Sequence, residues 1–256
     1  ILAEKLFLNL TPSILKVESI EAAELIKLFN NTYRDVHFSI GNYFNEIAQS
    51  FGINGLKLIE SANYKYARSQ IAMPGFVGGP CLEKDPHILT HNLKSSKGKD
   101  FILNARKYNE SLEDSVVQWI VRVTRKLKID RVGITGLAFK GKPDTSDLRG
   151  SNGVSIFRKL NDMGFRLGLH DFIISKDELS AIGESYSNIY EMTKELSLLV
   201  ILNNNKRYSV LDLKKIETVM KKPKIILDCW DCIDEKSKVT NLNVLNLGDI
   251  FLDQWK

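Results

Sequence analysis

A cysteine inside a glycine- and proline-rich stretch is the residue of this sequence with the clearest potential for chemistry. Cys81 follows Gly78, Gly79 and Pro80, and Asp85 comes four residues later. Paired glycines let the backbone approach a ligand closely, and a thiol at the start of a helical turn has a lowered pKa that favours nucleophilic attack. One helical turn would place Asp85 beside Cys81. The alternative is a structural turn around a buried cysteine, and the spacing leaves both interpretations open.

A second group of polar residues lies earlier in the chain at helical spacing. Glu24, Lys27, Asn31 and Arg34 follow one another in steps of three and four, which places them on one face of one helix. Such a row, pointing into a cleft, suits an anionic ligand or a developing oxyanion. A solvated helix face with an internal Glu24–Lys27 pair is the alternative.

A third feature is a glycine-containing loop after a predicted strand, formed by Gly133, Gly136, Phe139 and Lys140. It does not match the G-x-G-x-x-G dinucleotide pattern. Its position after the first strand of an α/β sheet is nevertheless one where phosphates bind, near a helix N-terminus. Ser151 begins the following helix with good capping chemistry, so a loop that only caps the helix is the alternative.

The apolar periodicity indicates which elements position these residues. Helical spacing predicts a long helix that begins at Ser19 and ends at Gly52. A short helix over 56–62 and a long helix over 101–127 follow it. After about residue 130, strands alternate with helices, which predicts a doubly wound parallel sheet. The predicted strands cover 131–137, 165–170, 198–202, 224–228 and 244–247, with helices over 151–163 and 211–220. The fold class is therefore α/β, with a helical domain over 19–128, a sheet domain over 129–256 and a short segment, 1–18, before them.

Composition excludes several protein classes. The chain has 256 residues, 43% of them hydrophobic, and a net charge of +5 that is spread along the sequence. These values exclude a disordered chain and a disulfide scaffold, and they do not indicate a nucleic-acid partner or a membrane span. Three cysteines favour a reducing cytoplasm. Cys229 and Cys232 have the spacing of a redox or zinc pair, but no second pair exists, so no metal site is predicted. The tryptophans are interpreted as packing residues: Trp119, Trp230 and Trp255.

Together these motifs resemble the nucleotide-sugar dehydrogenase family, the UDP-glucose/GDP-mannose dehydrogenases. The resemblance covers Glu24 to Val36, then the run from Gly78 to Pro86, then Gly136 to Lys140 with Thr145 to Ser151. It spans nearly the whole chain. The run Asn-Thr-Tyr-Arg-Asp-Val at 31–36 most resembles the branch that oxidises UDP-N-acetylhexosamines such as UDP-N-acetylmannosamine.

The resemblance implies a reaction and a set of roles. Family enzymes oxidise the sugar C6 hydroxymethyl group to a carboxylate with two NAD+, through a thiohemiacetal and a thioester on cysteine. It implies a catalytic role for Cys81, Lys27, Asn31 and Asp85. It further implies that the substrate is contacted by Arg34, Arg68, Gly78, Phe139 and Lys140, and that NAD is contacted by Lys84 and Arg149.

The resemblance also implies partners, and the sequence departs from the family's pattern in three places. A UDP-sugar substrate is implied, and a homodimer is expected through the apolar stripe of the long helix. One departure is in the usual Pro-Gly-x-Gly-Val-Gly-Gly loop, which is shortened here to Pro-Gly-Phe-Val-Gly-Gly at 74–79. The family begins with an NAD-binding Rossmann domain that nothing here matches, so the chain alone is expected to be inactive. The family's basic residue after the strand that ends at Asp228 is absent, because Cys229 and Trp230 follow there. The alternative function is a UDP-sugar-binding or dimerisation paralogue without dehydrogenase activity.

Overall fold

A computed structural model describes residues 2–68, 70–94, 96–234, 236–250 and 252 of the chain. Trp255 lies outside these residues. The helices are α1 (Leu2–Phe7), α2 (Ile20–Ser50), α3 (Gly55–Asn63), α4 (Asp85–Thr90), α5 (Ser96–Leu127), α6 (Asn152–Asp162), α7 (Lys176–Ser180), α8 (Ile189–Thr193) and α9 (Leu213–Val219). The strands are β1 (Arg131–Thr135), β2 (Arg166–His170), β3 (Leu198–Ile201), β4 (Ile225–Asp228) and β5 (Asn243–Asn246).

The five strands form one parallel sheet in the order β2-β1-β3-β4-β5. Side chains that alternate along each strand enter two different apolar clusters. Leu198 and Val200 join the cluster that contains α5 and α6, whereas Leu199 and Ile201 join the cluster that contains α8 and α9. Because successive strand residues point to opposite faces, both faces of the sheet are covered. The predicted fold class, a helical region followed by a doubly wound parallel sheet, is confirmed.

The long helix α2 has an unusual distribution of polarity. Its side chains that face α3, α4 and α5 are mostly polar, whereas its large apolar side chains point outward. Ser19 caps its N-terminus by accepting a hydrogen bond from the backbone N–H of Ala22. The buried polar positions are Thr32, Asp35, Ser39, Asn42, Asn45 and Gln49. The outer face of α2 therefore carries large apolar side chains that the described residues of this chain leave exposed.

No helix in the described part of the chain is both long enough and apolar enough to span a membrane.

Burial gives one histidine of the sheet an acidic pKa. His170 is buried at the end of β2, where Nδ1 lies 2.9 Å from the Thr135 hydroxyl, and desolvation lowers its pKa to about 4. In the unfolded chain the pKa is about 6.5, so the unfolded state binds more protons between these values. Stability should therefore be lost as the pH falls through this window.

We expect His170→Gln to remove this pH dependence. The wild-type free energy of unfolding should fall, relative to that of the variant, by about 2 kcal/mol between about pH 7.5 and about pH 5. Urea titrations at several pH values, followed by circular dichroism, measure this difference. Because the other titrating groups are present in both proteins, parallel curves for the two would contradict the assignment to His170.

Candidate functional site

The segment around Cys81 forms a turn that leads into α4. The backbone N–H of Asp85 donates to the Cys81 carbonyl oxygen at 2.9 Å, so the predicted turn does connect these two residues. The helix begins only at Asp85, four residues after the position that the sequence indicated. Cys81 is exposed, and the alternative of a buried structural cysteine is wrong.

Asp85 is the centre of a polar cluster contributed by two helices. Its side chain is only 1% exposed, and its Oδ2 accepts a hydrogen bond from the Asn31 amide at 2.6 Å. The ammonium groups of Lys27 and Lys84 each lie 3.6 Å from one of its oxygens. Its Oδ1 accepts no hydrogen bond from the residues that the structure describes. Lys27 therefore pairs with Asp85 of α4, and its side chain remains 59% exposed.

The loop after β1 lies directly against the glycines that precede Cys81. A Cβ atom at Gly79 would lie 2.6 Å from a ring carbon of Phe139, and Gly79 has a φ of +94°, so only glycine fits there. The Gly79 N–H donates to the Gly150 carbonyl at 2.8 Å. Lys140 holds its ammonium 5.1 Å from the centre of the Phe139 ring. The structure thus brings Gly78–Gly79, Phe139 and Lys140 to the same region as Cys81.

A buried ion pair between Arg106 and Asp35 anchors the segment that precedes Cys81. Arg106 on α5 donates to Asp35 on α2 at 2.6 Å, and both side chains are almost completely buried. The same guanidinium donates to the carbonyl oxygen of Val77 at 2.8 Å. Asn109 donates to both the backbone and the side chain of Asp35. Burial raises the pKa of Asp35, and the charge of Arg106 opposes that shift.

Two backbone donors of the loop after β1 are occupied by a carboxylate of the chain itself. The backbone N–H groups of Leu137 and Ala138 both donate to the carboxylate of Asp171, at 2.8 and 3.3 Å. Ser151 accepts from the Val154 N–H and thereby caps α6. The capping alternative therefore describes this loop better than a dinucleotide-binding loop.

Three cations singled out in the sequence lie outside the Asp85 cluster. Arg34 is exposed on α2, one turn beyond Asn31, and Arg68 is exposed beside Tyr66 and Gln70. Arg149 is exposed and donates to Asp147 of its own loop at 2.7 Å. Its hydrogen bonds lower the pKa of Asp147 to about 2.

Sequence patterns did not reveal the residues that support the site. Arg106 and Asn109 continue the stripe that is buried at Leu112, Val116 and Ile120 on the same helix. The available signal was that these two polar residues occupy positions that extend an apolar stripe. A polar side chain buried at such a position must have hydrogen-bond partners, so the pattern indicated a buried polar network.

The three cysteines differ strongly in environment, and we expect their alkylation rates to differ accordingly. Cys81 is exposed, whereas Cys229 is buried with a pKa raised well above its usual value. Burial raises the pKa of Cys232 to about 12, so its thiolate is roughly one part in ten thousand at about pH 8. Iodoacetamide should therefore modify Cys81 at least about tenfold faster than the other two. Peptide mass spectrometry measures the rates, with the urea-unfolded chain as control, and equal rates in the folded chain would contradict this expectation.

Two family models match the chain, and together they contain the residues of this site. The central-domain model of the UDP-glucose/GDP-mannose dehydrogenase family matches residues 21–111, and its UDP-binding-domain model matches residues 133–235. The chain belongs to this family. The resemblance seen in the sequence motifs is confirmed.

The sequence is similar to those of several nucleotide-sugar dehydrogenases. The UDP-N-acetyl-D-mannosamine dehydrogenase of Methanocaldococcus jannaschii is 34% identical over 233 residues, which are 90% of this chain and 52% of that protein. The UDP-N-acetyl-D-glucosamine 6-dehydrogenase of Pseudomonas aeruginosa is 31% identical over 64% of this chain and 39% of that protein.

Solved structures agree in fold. The UDP-D-ManNAc dehydrogenase of Pyrococcus horikoshii has a TM-score of 0.82 at 26% identity, over 96% of this chain and 56% of that structure. The UDP-N-acetyl-mannosamine dehydrogenase Cap5O of Staphylococcus aureus has a TM-score of 0.78 at 29% identity, over 93% of this chain and 53% of that structure. The chain thus spans about half the length of these relatives.

Proposed function

We propose that this chain supplies the substrate-binding and thiol-bearing part of a cytoplasmic nucleotide-sugar 6-dehydrogenase. The substrate class is a UDP-N-acetylhexosamine, and the product is the corresponding uronate, a building block for polysaccharides. The observation that carries the proposal is the cluster in which Lys27 and Asn31 meet Asp85 one turn after Cys81. Support for the substrate class comes from the relatives that are named for UDP-N-acetyl-D-mannosamine.

The residues of the site fit a thiol mechanism on the sugar aldehyde. The Cys81 thiolate adds to the C6 carbonyl carbon, a C–S bond forms, and the carbonyl electron pair moves to the oxygen. The Lys27 ammonium and the Asn31 amide stabilise the negative oxygen, as hydrogen-bond donors do in an oxyanion hole. At the thioester stage, Asp85 orients a water molecule and accepts a proton as the water adds to the carbonyl carbon. The C–S bond then breaks and restores the thiolate.

When bound in turn, two NAD+ molecules would supply the acceptors for the two hydrides removed from C6, the first from the alcohol and the second from the thiohemiacetal. The β1 loop is occupied by Asp171, so this chain offers no dinucleotide loop of its own among the described residues. We assign the exposed cations Lys84 and Arg149 to contacts with the phosphates of NAD. We assign the rest of the cofactor site to a part of the enzyme outside this chain.

The substrate side of the site combines both domains. Phe139 lies against Gly79, and the Lys140 ammonium lies over the Phe139 ring. We assign both residues to binding of the nucleotide sugar, together with the Gly78 backbone. We place Arg34 and Arg68 at the outer edge of the substrate site, because both side chains are exposed. The apolar outer face of α2 is proposed as the contact between two copies of the chain.

Isothermal titration calorimetry with UDP-N-acetylmannosamine tests the substrate assignment. We expect one site per chain, with GDP-mannose and uridine as weaker ligands, and at least about tenfold weaker binding for Lys140→Ala. Lys222→Ala, which removes a lysine from the opposite end of the sheet domain, is the matched control and should bind like the wild type. Equal affinity of wild type and Lys140→Ala would contradict the assignment.

A further inference from the structure

Trp230 is the residue that follows the end of β4 at the position where the family's basic residue is absent. Its indole Nε1 donates to the carbonyl oxygen of Leu202 at 3.0 Å, and its backbone N–H donates to the Asp228 carboxylate at 3.2 Å. Two strand ends, those of β3 and β4, therefore fix the orientation of the indole. An aromatic residue anchored through its backbone and through its indole nitrogen is a rigid surface for whatever packs against it.

Gly75 packs against that surface. A Cβ atom at Gly75 would lie 2.8 Å from Cζ3 and 2.9 Å from Cη2 of Trp230, so the indole leaves no room for a side chain. The backbone of Gly75 does not require glycine, since its φ is outside the left-handed region. The indole is therefore what restricts this position to glycine.

The opposite side of Gly75 is held by the helical domain. Asn42 on α2 donates to the Gly75 carbonyl at 3.1 Å and accepts from the Gly75 N–H at 2.9 Å. Asn42 also donates to Asn109, which bonds Asp35. Gly75 is thus clamped between an asparagine of the helical domain and a tryptophan of the sheet domain.

We propose that Trp230 is a positioning residue that couples the sheet domain to the segment carrying Cys81. Gly75 begins the segment that runs through Val77 and Gly79 to Cys81, and each of these intermediate residues has one further anchor. Clamping its first residue fixes where Cys81 lies relative to Asp85. The role of Trp230 in sugar oxidation rests on the proposed function, whereas the coupling between Trp230 and the segment that carries Cys81 does not.

A double-mutant cycle between Gly75 and Trp230 tests this coupling. In Gly75→Ala the new methyl collides with the indole and displaces the segment, so the rate of Cys81 alkylation at fixed pH should change at least about fivefold. In a Trp230→Ala background the methyl has room, and adding Gly75→Ala should change the rate less than about twofold. Equal effects of Gly75→Ala in the two backgrounds would overturn the proposal.

Hydrogen exchange of peptides spanning 74–85 gives a second readout on the full chain. Exchange should accelerate at least about tenfold in Trp230→Ala and less than about threefold in Trp230→Phe, which keeps an aromatic ring against Gly75. Peptides from α9 should exchange as in the wild type, which separates coupling from general loss of stability. Acceleration that is equal in all peptides, or equal in the two variants, would count against Trp230. Neither readout requires a nucleotide sugar, so a failed binding titration would leave both intact.

Discussion

Replacing Arg106 with leucine is expected to lower the free energy of unfolding by about 3–5 kcal/mol. The substitution leaves the buried Asp35 carboxylate without its cation, and an unpaired buried charge is among the largest single costs in a protein. The pKa of Asp35, already raised by burial, would rise further. The carbonyl of Val77 would also lose its donor, which loosens the segment before Cys81.

Urea titration followed by circular dichroism measures this loss. Arg125→Leu is the matched control, because Arg125 lies on the same helix and is exposed. Its substitution should change the free energy of unfolding by no more than about 0.5 kcal/mol. A loss below about 1 kcal/mol for Arg106→Leu would show that the ion pair does not hold α2, α5 and the cysteine segment together.

The second large effect concerns the outer face of α2. Ile40, Phe44 and Ile47 follow one another in steps of four and three, and each is about 40% exposed. We expect the wild-type chain to form a dimer through this face, and Phe44→Glu with Ile47→Glu to make it monomeric. A charge buried at the centre of an apolar interface without a partner costs several kcal/mol.

Light scattering coupled to size exclusion at micromolar concentration measures the mass directly. The wild type should have twice the mass of one chain and the double variant the mass of one. Val210→Glu is the control, because Val210 is 78% exposed on the sheet domain and should leave the dimer unchanged. A monomeric wild type, or a dimeric double variant, would refute the assignment of this face.

Sequence periodicity was sufficient for the strands of the sheet domain, but it did not predict the short helices α7 and α8. Each predicted strand after residue 130 is present, because runs such as LLVI and IILD are buried on both faces and have no alternative element of that length. The site was partly predictable for the same kind of reason. Helical spacing placed Lys27 and Asn31 on one face, and one turn linked Cys81 to Asp85.

The remaining features depend on contacts between distant segments. Periodicity shows that α2 has an apolar face, but polar residues such as Asn42 and Asp35 ordinarily face water. Their burial requires Arg106 and Asn109, which lie some 65–75 residues away in the chain. Trp230 was expected to be a packing residue, and only the fold shows that its partner is Gly75. Asp171 occupies the β1 loop because β1 and β2 are neighbours in the sheet.

The most direct test of the proposed chemistry is whether Cys81 captures the sugar aldehyde. The 6-aldehyde of UDP-N-acetylmannosamine, labelled with carbon-13 at C6, is added to the chain, so that no cofactor is needed. The wild type should give a new resonance for a tetrahedral C6 bonded to sulfur, and Cys81→Ser should give only the free aldehyde and its hydrate. Identical spectra for the two proteins, with the nucleotide bound in both, would contradict a thiohemiacetal at Cys81 and favour a binding paralogue.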